Sequence, residues 1–214
     1  MLKRLAADAL GLSDIGSIID PKDFDKVSSD DYIFHEDGEQ IFFLIKSKTD
    51  EYCFTNLAML HLDGTSAVSS KRQLHRYDYR DHMISNVRLE TAGTVDLDAE
   101  IKFIIGEVAF SIDVDKKQIE ALKDLYKALH KMSMIMKKNQ SHLRDAQQSL
   151  EMAAKVLTGT KNMGEVKLVD EFAQVNEKAF DWLMSSKEKY IREDYADIFK
   201  LYINNLSLIH ISEP

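Results

Sequence analysis

The chain has 214 residues, of which 44% are hydrophobic and 30% are charged, a balance that predicts one or two small folded domains and excludes a long disordered chain. Its formal net charge of −8 disfavours general affinity for nucleic acid or anionic membranes, because both carry charge of the same sign. Cys53 is the only cysteine, which excludes an intrachain disulfide and a cysteine-rich zinc site.

The first twelve residues predict a short amphipathic helix. Apolar residues recur at helical spacing from Leu2 to Leu10, charged residues lie between them, and Gly11 follows. This segment lacks the unbroken apolar run of a signal peptide. No other stretch approaches the roughly 20 apolar residues of a membrane-spanning helix. We therefore expect a cytoplasmic protein.

Residues from about 31 to 114 predict short β-strands. Apolar and aromatic runs alternate there with turn signals such as Glu36–Glu39, Asp63–Gly64 and Ala92–Gly93. The predicted strands cover Tyr32–His35, Ile41–Ile45, Tyr52–Leu62, Arg72–Asp81, Met83–Glu90, Glu100–Ile105 and Glu107–Ile112. Short strands joined by frequent turns are typical of a meander that closes into a small barrel or sandwich.

The spacing of the apolar residues becomes helical after Asp115. Asp115 and Gln118 together resemble a capping box, with Asp115 as the cap. Residues at alternating spacings of three and four then form a heptad seam, which is typical of coiled-coil pairing. The seam comprises Leu122, Leu125, Leu129, Met132, Met136, Asn139, Leu143, Ala146, Leu150, Ala153 and Leu157. Asn139, its one polar member, either sets the register or marks a helix break with Ser141 capping a new helix.

Two further helices are predicted after a loop at residues 158–164. The first carries a stripe of Leu168, Phe172, Val175, Ala179 and Trp182 and is interrupted at Ser185–Ser186; the second carries Ile191, Tyr195, Ile198 and Tyr202. One helical layer cannot bury such stripes alone, so they pack on neighbouring helices or on another subunit. The residues predicted to carry self-association are Leu129, Met132, Met136, Asn139, Leu143, Leu150 and Leu157.

Two segments resemble bacterial pleckstrin homology (PH) domains. The run ETAGTVDLDAEIK over Glu90–Lys102 is similar to a signature of these domains, and Tyr79–Ile84 is a looser match to the strand that precedes it. The region after about residue 137 resembles the YvbH-like oligomerisation extension that follows some of these domains. The resemblance implies an α+β fold, in which a PH-like β-barrel capped by a C-terminal helix is followed by an α-helical hairpin or bundle. It also implies ring-like or other homo-oligomers without established catalytic activity.

The resemblance and the change of pattern together divide the chain into three segments. Residues 1–136 are predicted to form the PH-like domain, with an N-terminal helix, a barrel and a closing helix. Residues 137–205 are predicted to form the helical oligomerisation extension. The segment 206–214 resembles the translation of a sequencing adapter read in frame, so we expect the native chain either to end near Asn205 or to have lost its true C-terminus.

Two charged stretches are candidate contact surfaces. The basic stretch contains Lys71, Arg72, Arg76, Arg80 and Arg88; it could bind an anionic ligand or lipid, or acidic residues of another subunit. The acidic stretch contains Asp96, Asp98 and Glu100, whose spacing of two places three carboxylates on one face of a strand. It could hold a divalent cation or contact basic residues of a neighbouring subunit. We favour subunit contacts for both. The predicted barrel is acidic overall and would repel an anionic ligand from the basic stretch, and the acidic stretch lacks the following glycine and flanking helices of a calcium-binding loop.

No motif predicts catalysis. The sequence contains no nucleophile motif, glycine-rich phosphate loop or His-Glu-x-x-His motif, and its histidines are scattered. We therefore predict a protein that is not an enzyme and holds no cofactor or metal. Its expected partners are copies of itself or another protein, and not nucleic acid or membrane lipid. The alternative is a ligand-binding or anionic-lipid-binding module that uses the basic stretch from Lys71 to Arg88.

Overall fold

The structure, a computed structural model, describes residues 15–64, 72–91, 98–159 and 168–203; the side chains of residues 156–159 and 168–173 fall outside this description. The chain forms two compact units. The first contains the described residues up to Met134 and those from Glu193 onward, and the second contains Ile135–Arg192. Several predictions concern residues beyond the described ranges: the N-terminal helix, the contacts of Lys71 and Asp96, and the segment 206–214.

The first unit contains two antiparallel β-sheets, which confirms the predicted meander of short strands. Five strands in chain order form the first sheet, and three form the second. The strands are β1 Ser17–Ile18, β2 Ile41–Lys46, β3 Glu51–Thr55, β4 Ala58–Gly64, β5 Arg72–Asp78, β6 Ile84–Glu90, β7 Asp98–Ile105 and β8 Val108–Asp115. A bridge between Gly16 and Val114 joins the sheets at one side. Within the described residues β5 and β6 are not paired, so the sheets form a PH-like sandwich and not a fully closed barrel.

Gly16 is required where the two sheets meet. Its amide donates to the carbonyl of Asp113 at 2.8 Å, and its own carbonyl accepts from the amide of Asp115 at 3.0 Å. A Cβ atom at this position would lie 2.6 Å from Cγ2 of Ile45 and 3.0 Å from the Asp113 carbonyl oxygen. A larger residue would therefore force the sheets apart.

Two strand predictions were wrong. Residues predicted as a strand over Tyr32–His35 belong to a segment of three 3₁₀ turns at Pro21–Lys26, Ser28–Tyr32 and His35–Asp37, because the polar residues before Ile33 favour local hydrogen bonds over strand pairing. The predicted strand Tyr52–Leu62 is two strands, β3 and β4. The Thr55 hydroxyl oxygen accepts from the amides of Leu57 at 3.1 Å and Ala58 at 2.8 Å and so forms a tight turn.

The first sheet is buried on both faces. One face packs against the segment of 3₁₀ turns and forms a small core of Leu44, Cys53, Ala58, Leu60, Val27 and Ile33. Burial raises the pKa of the Cys53 thiol well above its usual range, so Cys53 is a packing residue. The other face meets the second sheet, where Phe54 contacts Phe103 edge to face at 6.0 Å and Phe103 stacks on Phe110 at 5.2 Å. The alternation of side chains along each strand explains how one sheet supplies both cores.

Helix α1, Ile119–Gly159, is continuous through Asn139, so the alternative of a helix break at that residue does not apply. Asp115 caps the turn before it, as predicted, and accepts a hydrogen bond from the Lys117 amide at 2.9 Å. The Gln118 side chain does not complete a capping box, because it bonds instead to the backbone of Ile18. Leu122, Leu125, Leu129 and Met132 are fully buried in the first unit. The boundary between the two units falls inside this helix, between Met134 and Ile135.

Helix α2, Leu168–Tyr190, and helix α3, Ala196–Tyr202, complete the fold. The predicted interruption at Ser185–Ser186 was wrong, because the Ser186 hydroxyl donates to the Trp182 carbonyl at 2.8 Å within the helix. The third helix begins at Ala196 and not at Ile191. No helix of the described residues has both the length and the apolarity to cross a lipid bilayer.

The segment from Glu193 to Ile203 packs on the first sheet. Phe199 is fully buried and stacks on Phe42, with ring centroids 5.4 Å apart. The Tyr195 amide donates to the Asn56 carbonyl at 2.9 Å, and the Asn56 side chain donates to Asp194 at 2.8 Å. The predicted extension over residues 137–205 included this segment, whereas the segment lies in the first compact unit. The reason is that its aromatic side chains complete the core of the sheets.

Candidate interaction surfaces

Arg76 of the basic stretch forms a buried ion pair. Its guanidinium lies 3.0 Å from Oε2 of Glu39 and 2.7 Å from Oδ1 of Asp78, and it lies over the Phe34 ring at 4.6 Å. Burial acts to lower the pKa of Arg76, but hydrogen bonds to the two carboxylates outweigh it and raise the pKa overall. Glu39 is itself almost fully buried and also accepts from the Thr55 hydroxyl at 2.6 Å. Arg76 therefore neutralises a charge inside the fold.

Arg72 lies near a second buried carboxylate, Glu51. Its guanidinium is 3.9 Å from Glu51 and donates to the Ser28 hydroxyl at 2.8 Å. Glu51 also accepts from Nζ of Lys46 at 2.7 Å and from the Ser29 amide at 2.8 Å. Burial acts to raise the pKa of Glu51, but these hydrogen bonds together lower it. The 3₁₀ segment is thus tied to the first sheet by a buried, ionised carboxylate.

Arg80 lies at an open cleft of about 340 Å³. Leu57, Arg76, Asp78, Arg80, Asp81 and Glu193 line this cleft. Arg80 pairs with Glu193 at 2.5 Å, and both side chains are more than half exposed. Two arginines and three acidic residues line the cleft, so it is not a cationic pocket of the type that binds phosphate.

Arg88 is placed apart from this group, in β6 of the second sheet. Its guanidinium donates to Oδ1 of Asn86 at 3.0 Å. Asn86 has a left-handed backbone, with φ of 56°, at an irregularity in the pairing of β6 with β7. The structure therefore does not assemble the described arginines into one free basic surface.

The described residues of the acidic stretch, Asp98 and Glu100, lie on β7, and Lys102 of the same strand supplies a cation beside them. Nζ of Lys102 is 2.9 Å from Glu100 and 2.9 Å from Glu90 on the adjacent strand. The Ser111 hydroxyl donates to Glu100, and these hydrogen bonds lower the pKa of Glu100. Asp98 lies opposite Asp115 of β8. Among the described residues, no group of three or more His, Cys, Asp or Glu side chains is arranged to hold a metal ion.

Several histidines pack in an aromatic cluster between the sheets. His61 stacks on Tyr52 at 4.6 Å, lies 6.1 Å from His75, and has Nε2 3.0 Å from Asp50. Burial and the nearby negative charge of Asp50 and two other aspartates raise the pKa of Tyr52 to about 12. The cluster extends through Tyr77 and Phe110. These rings pack the end of the inter-sheet core.

The predicted seam of α1 changes character along the helix. Leu129 and Met132 are fully buried in the first unit, and Met136 is 5% exposed. Asn139, Leu143 and Leu150, which belong to the second unit, are only partly buried, and Ala153 is exposed. The side chain of Leu157 lies outside the described residues. The apolar periodicity is therefore the same along the whole seam, whereas the burial of its side chains decreases after Met136.

Helix α2 has a covered stripe and exposed flanks. Ala179, Leu183, Ser186 and Tyr190 form the stripe of lower exposure, and the Tyr190 ring lies 5.3 Å from the ring of His142 on α1. The exposed apolar residues are Val175 at 51%, Phe180 at 62%, Trp182 at 52% and Met184 at 40%. The predicted stripe included Val175 and Trp182 and omitted Leu183. It also missed Phe180 and Met184, although their spacing of four is visible in the sequence.

Comparisons with known proteins agree with this architecture. A family model described as bacterial PH domain matches residues 9–133, and one described as YvbH-like oligomerisation region matches residues 144–205. The chain is 53% identical to the uncharacterized protein YvbH of Bacillus subtilis strain 168 over 205 residues, which are 96% of this chain and all of that protein.

One solved structure of a relative has the same fold over most of this chain. A crystal structure of a PH-domain-containing bacterial protein from Exiguobacterium sibiricum 255-15 is 49% identical, with a TM-score of 0.81, and the match covers 89% of this chain and all of that one. A DUF1696 family protein with a pleckstrin-homology domain from Shewanella loihica PV-4 is 21% identical, with a TM-score of 0.45, over 56% of this chain and 99% of that one. The chain therefore belongs to the bacterial PH-domain family and carries a YvbH-like oligomerisation region after its PH domain.

Proposed function

We propose that this chain is a non-catalytic, homo-oligomeric interaction module, in which the helical hairpin of α1 and α2 joins copies and each copy presents a PH-like sandwich. The observation that carries the proposal is the partly covered apolar surface of the second unit. The same seam that is fully buried at Leu129 and Met132 is only partly buried at Leu143 and Leu150.

Apolar surface left in contact with water favours association, because its removal from water is the main driving force of most protein interfaces. A helix normally turns one apolar stripe inward and a polar face to solvent. In the second unit the exposed apolar residues of α2 lie outside that stripe. The family description of residues 144–205 as an oligomerisation region supports the same interpretation.

The alternative of an anionic-lipid module is less well supported. Arg76 and Arg80 pair with carboxylates, and Arg72 lies near buried Glu51. An anionic headgroup would have to compete with these carboxylates, and displacing Glu39 from Arg76 would leave Glu39 without its cation inside the fold. The net charge of −8 adds long-range repulsion from an anionic membrane.

Size-exclusion chromatography with light scattering tests the proposal on the full chain. We expect a mass that is a multiple of the 24.5 kDa chain at micromolar concentration. Leu143→Asp or Leu150→Asp should lower this mass, while circular dichroism retains the signal of the sheets. The matched control is Met134→Asp, which places the same residue at an exposed mid-helix position of the first unit. A mass of one chain for the unmodified protein would contradict the proposal.

Binding to vesicles separates the alternative from this proposal. Co-sedimentation with anionic phospholipid vesicles at low salt offers electrostatic binding its best conditions. We expect the chain to stay in the supernatant. Binding that is lost in Arg80→Glu would favour the lipid-binding alternative instead.

A further inference from the structure

The outer flank of α2 carries a short seam that is distinct from the stripe facing α1. Glu177, Phe180, Met184 and Lys187 follow one another at spacings of three, four and three, which places them within about 80° of arc on the helix. All four side chains are exposed. Spacings of three and four are those of residues that line a helix–helix contact.

The order of these residues is self-complementary. Phe180 and Met184 are centred on position 182, and Glu177 and Lys187 are centred on the same position. If two copies of α2 lie antiparallel about a two-fold axis at this position, Phe180 of one copy faces Met184 of the other. Glu177 of each copy then faces Lys187 of the other. A two-fold interface requires this property, because the same patch must complement itself.

Neither charged side chain has an ion pair within the described residues. Glu177 and Lys187 are ten residues apart, which is about 15 Å along the helix, so they cannot pair within α2. No residue of opposite charge stands three or four positions from either of them in the sequence, and the structure shows no ion pair for either among the described residues. A second copy would supply each with a partner.

The opposite flank of α2 lacks this order. Val175 and Trp182 are exposed there, and Glu171, Lys178 and Lys189 are at neighbouring positions of the same flank. A two-fold axis that places Val175 of one copy opposite Trp182 of the other places none of these three charged residues opposite a residue of opposite charge. The flank with Glu177 and Lys187 is therefore the one in which apolar contacts and ion pairs share one axis.

We infer that two copies of the chain associate through an antiparallel, two-fold contact of α2, with Phe180 and Met184 at its centre and a Glu177–Lys187 ion pair at each end. This inference rests on the proposed homo-oligomeric function and names the surface that performs it. A higher oligomer then requires a second, different contact, because a two-fold contact closes on itself.

Charge exchange tests this contact without threatening the fold, because both positions are exposed. Glu177→Lys and Lys187→Glu should each weaken association about tenfold or more, since each replaces two attractive pairs with two repulsive ones. An equimolar mixture of the two variants should regain the mass of the unmodified chain, and so should the double variant E177K/K187E. Light scattering over a concentration series measures all four samples.

Phe180→Asp tests the centre of the contact. Its control is Met134→Asp, which also places an aspartate at an exposed position inside a helix. We expect Phe180→Asp to reduce the mass at least by half and Met134→Asp to leave it unchanged, with circular dichroism checking that both variants are folded.

The outcomes separate this inference from the proposed function. If the unmodified chain associates and none of these α2 variants changes its mass, the inference is wrong and the proposed function stands. If the single exchanges weaken association but neither the mixture nor the double variant restores it, the two-fold pairing is wrong. A monomeric unmodified chain overturns the proposed function as well.

Discussion

Large aromatic side chains are buried in the sandwich and exposed in the helical hairpin. In the sandwich unit, Phe54, Phe103 and Phe199 are almost fully buried, and each contacts another aromatic ring. In the hairpin, Phe180 and Trp182 are more than half exposed. The sandwich therefore has the properties of a unit stabilised within one chain, whereas the hairpin leaves large apolar side chains exposed. The difference separates residues that hold the fold from the exposed residues on which the proposed self-association depends.

Removing the ring of Phe199 from the sandwich should cause the largest loss of stability. Phe199→Ala empties a fully buried site between Phe42 and Tyr79, and we expect it to lower the free energy of unfolding by about 4 kcal/mol. Leu201→Ala is the matched control in the same helix, because Leu201 is 65% exposed, and it should change stability by less than about 0.5 kcal/mol. Urea unfolding followed by circular dichroism measures both.

Phe180→Ala extends this comparison to the hairpin. We expect it to change the unfolding free energy of the sandwich by less than about 0.5 kcal/mol, while it weakens association. Equal losses of stability for Phe199→Ala and Phe180→Ala would contradict the distinction between the two units.

Removing the cation of the buried pair should give the next largest effect. Arg76→Met leaves the carboxylate of Glu39 buried without its ion pair, and we expect a loss of about 3 kcal/mol in unfolding free energy. Arg88→Met is the control, because Arg88 donates to Asn86 at an exposed position. If Arg76→Met lowered the unfolding free energy no more than Arg88→Met, Arg76 would not stabilise the sandwich. A role of the basic stretch in ligand binding would then need to be reconsidered.

The pH dependence of the sandwich should show a smaller effect. The pKa of Glu51 is lowered in the folded chain from its ordinary value of 4.5 by Lys46 and the Ser29 amide, against the effect of burial. The resulting stabilisation is complete above about pH 4.5 and is lost as the pH falls through the lower folded pKa. Glu51→Gln should reduce stability at pH 7 and flatten its decline between pH 5 and pH 3. Urea midpoints at each pH test this, and an unchanged slope in the variant would exclude Glu51 as a contributor.

Much of the fold follows from local patterns in the sequence. The strands from β2 to β8 were predicted from alternating apolar residues and turns, apart from the single strand expected over Tyr52–Leu62. The helix α1 was predicted from its spacing of three and four. The errors lie where side chains form local hydrogen bonds that no periodicity reveals. The Thr55 turn divides one predicted strand, and the Ser186 hydroxyl bonds within α2 where an interruption was expected.

The roles of the charged residues could not be predicted from their spacing. Arg76 and Glu39 are 37 positions apart, and Arg80 and Glu193 are 113 positions apart. Before the fold brings them together, a basic stretch looks the same whether it binds a ligand or neutralises buried carboxylates. The flank of Phe180 and Met184 was missed for a related reason, since one apolar stripe of α2 had already been assigned to packing.

The order of apolar and polar residues along this chain is sufficient to indicate most of its strands and its long helix, because those features repeat over two to four residues. Its resemblance to bacterial PH domains came instead from the particular residues of the run Glu90–Lys102. Only the folded chain shows which apolar stripes are covered. The stripe of Tyr195 and Ile198 has the same local pattern as that of Val175 and Trp182, yet the first is buried on the sheet and the second is exposed. Whether a stripe is buried depends on contacts with residues far away in the chain, such as that of Tyr195 with Asn56. Sequence periodicity carries no information about these contacts.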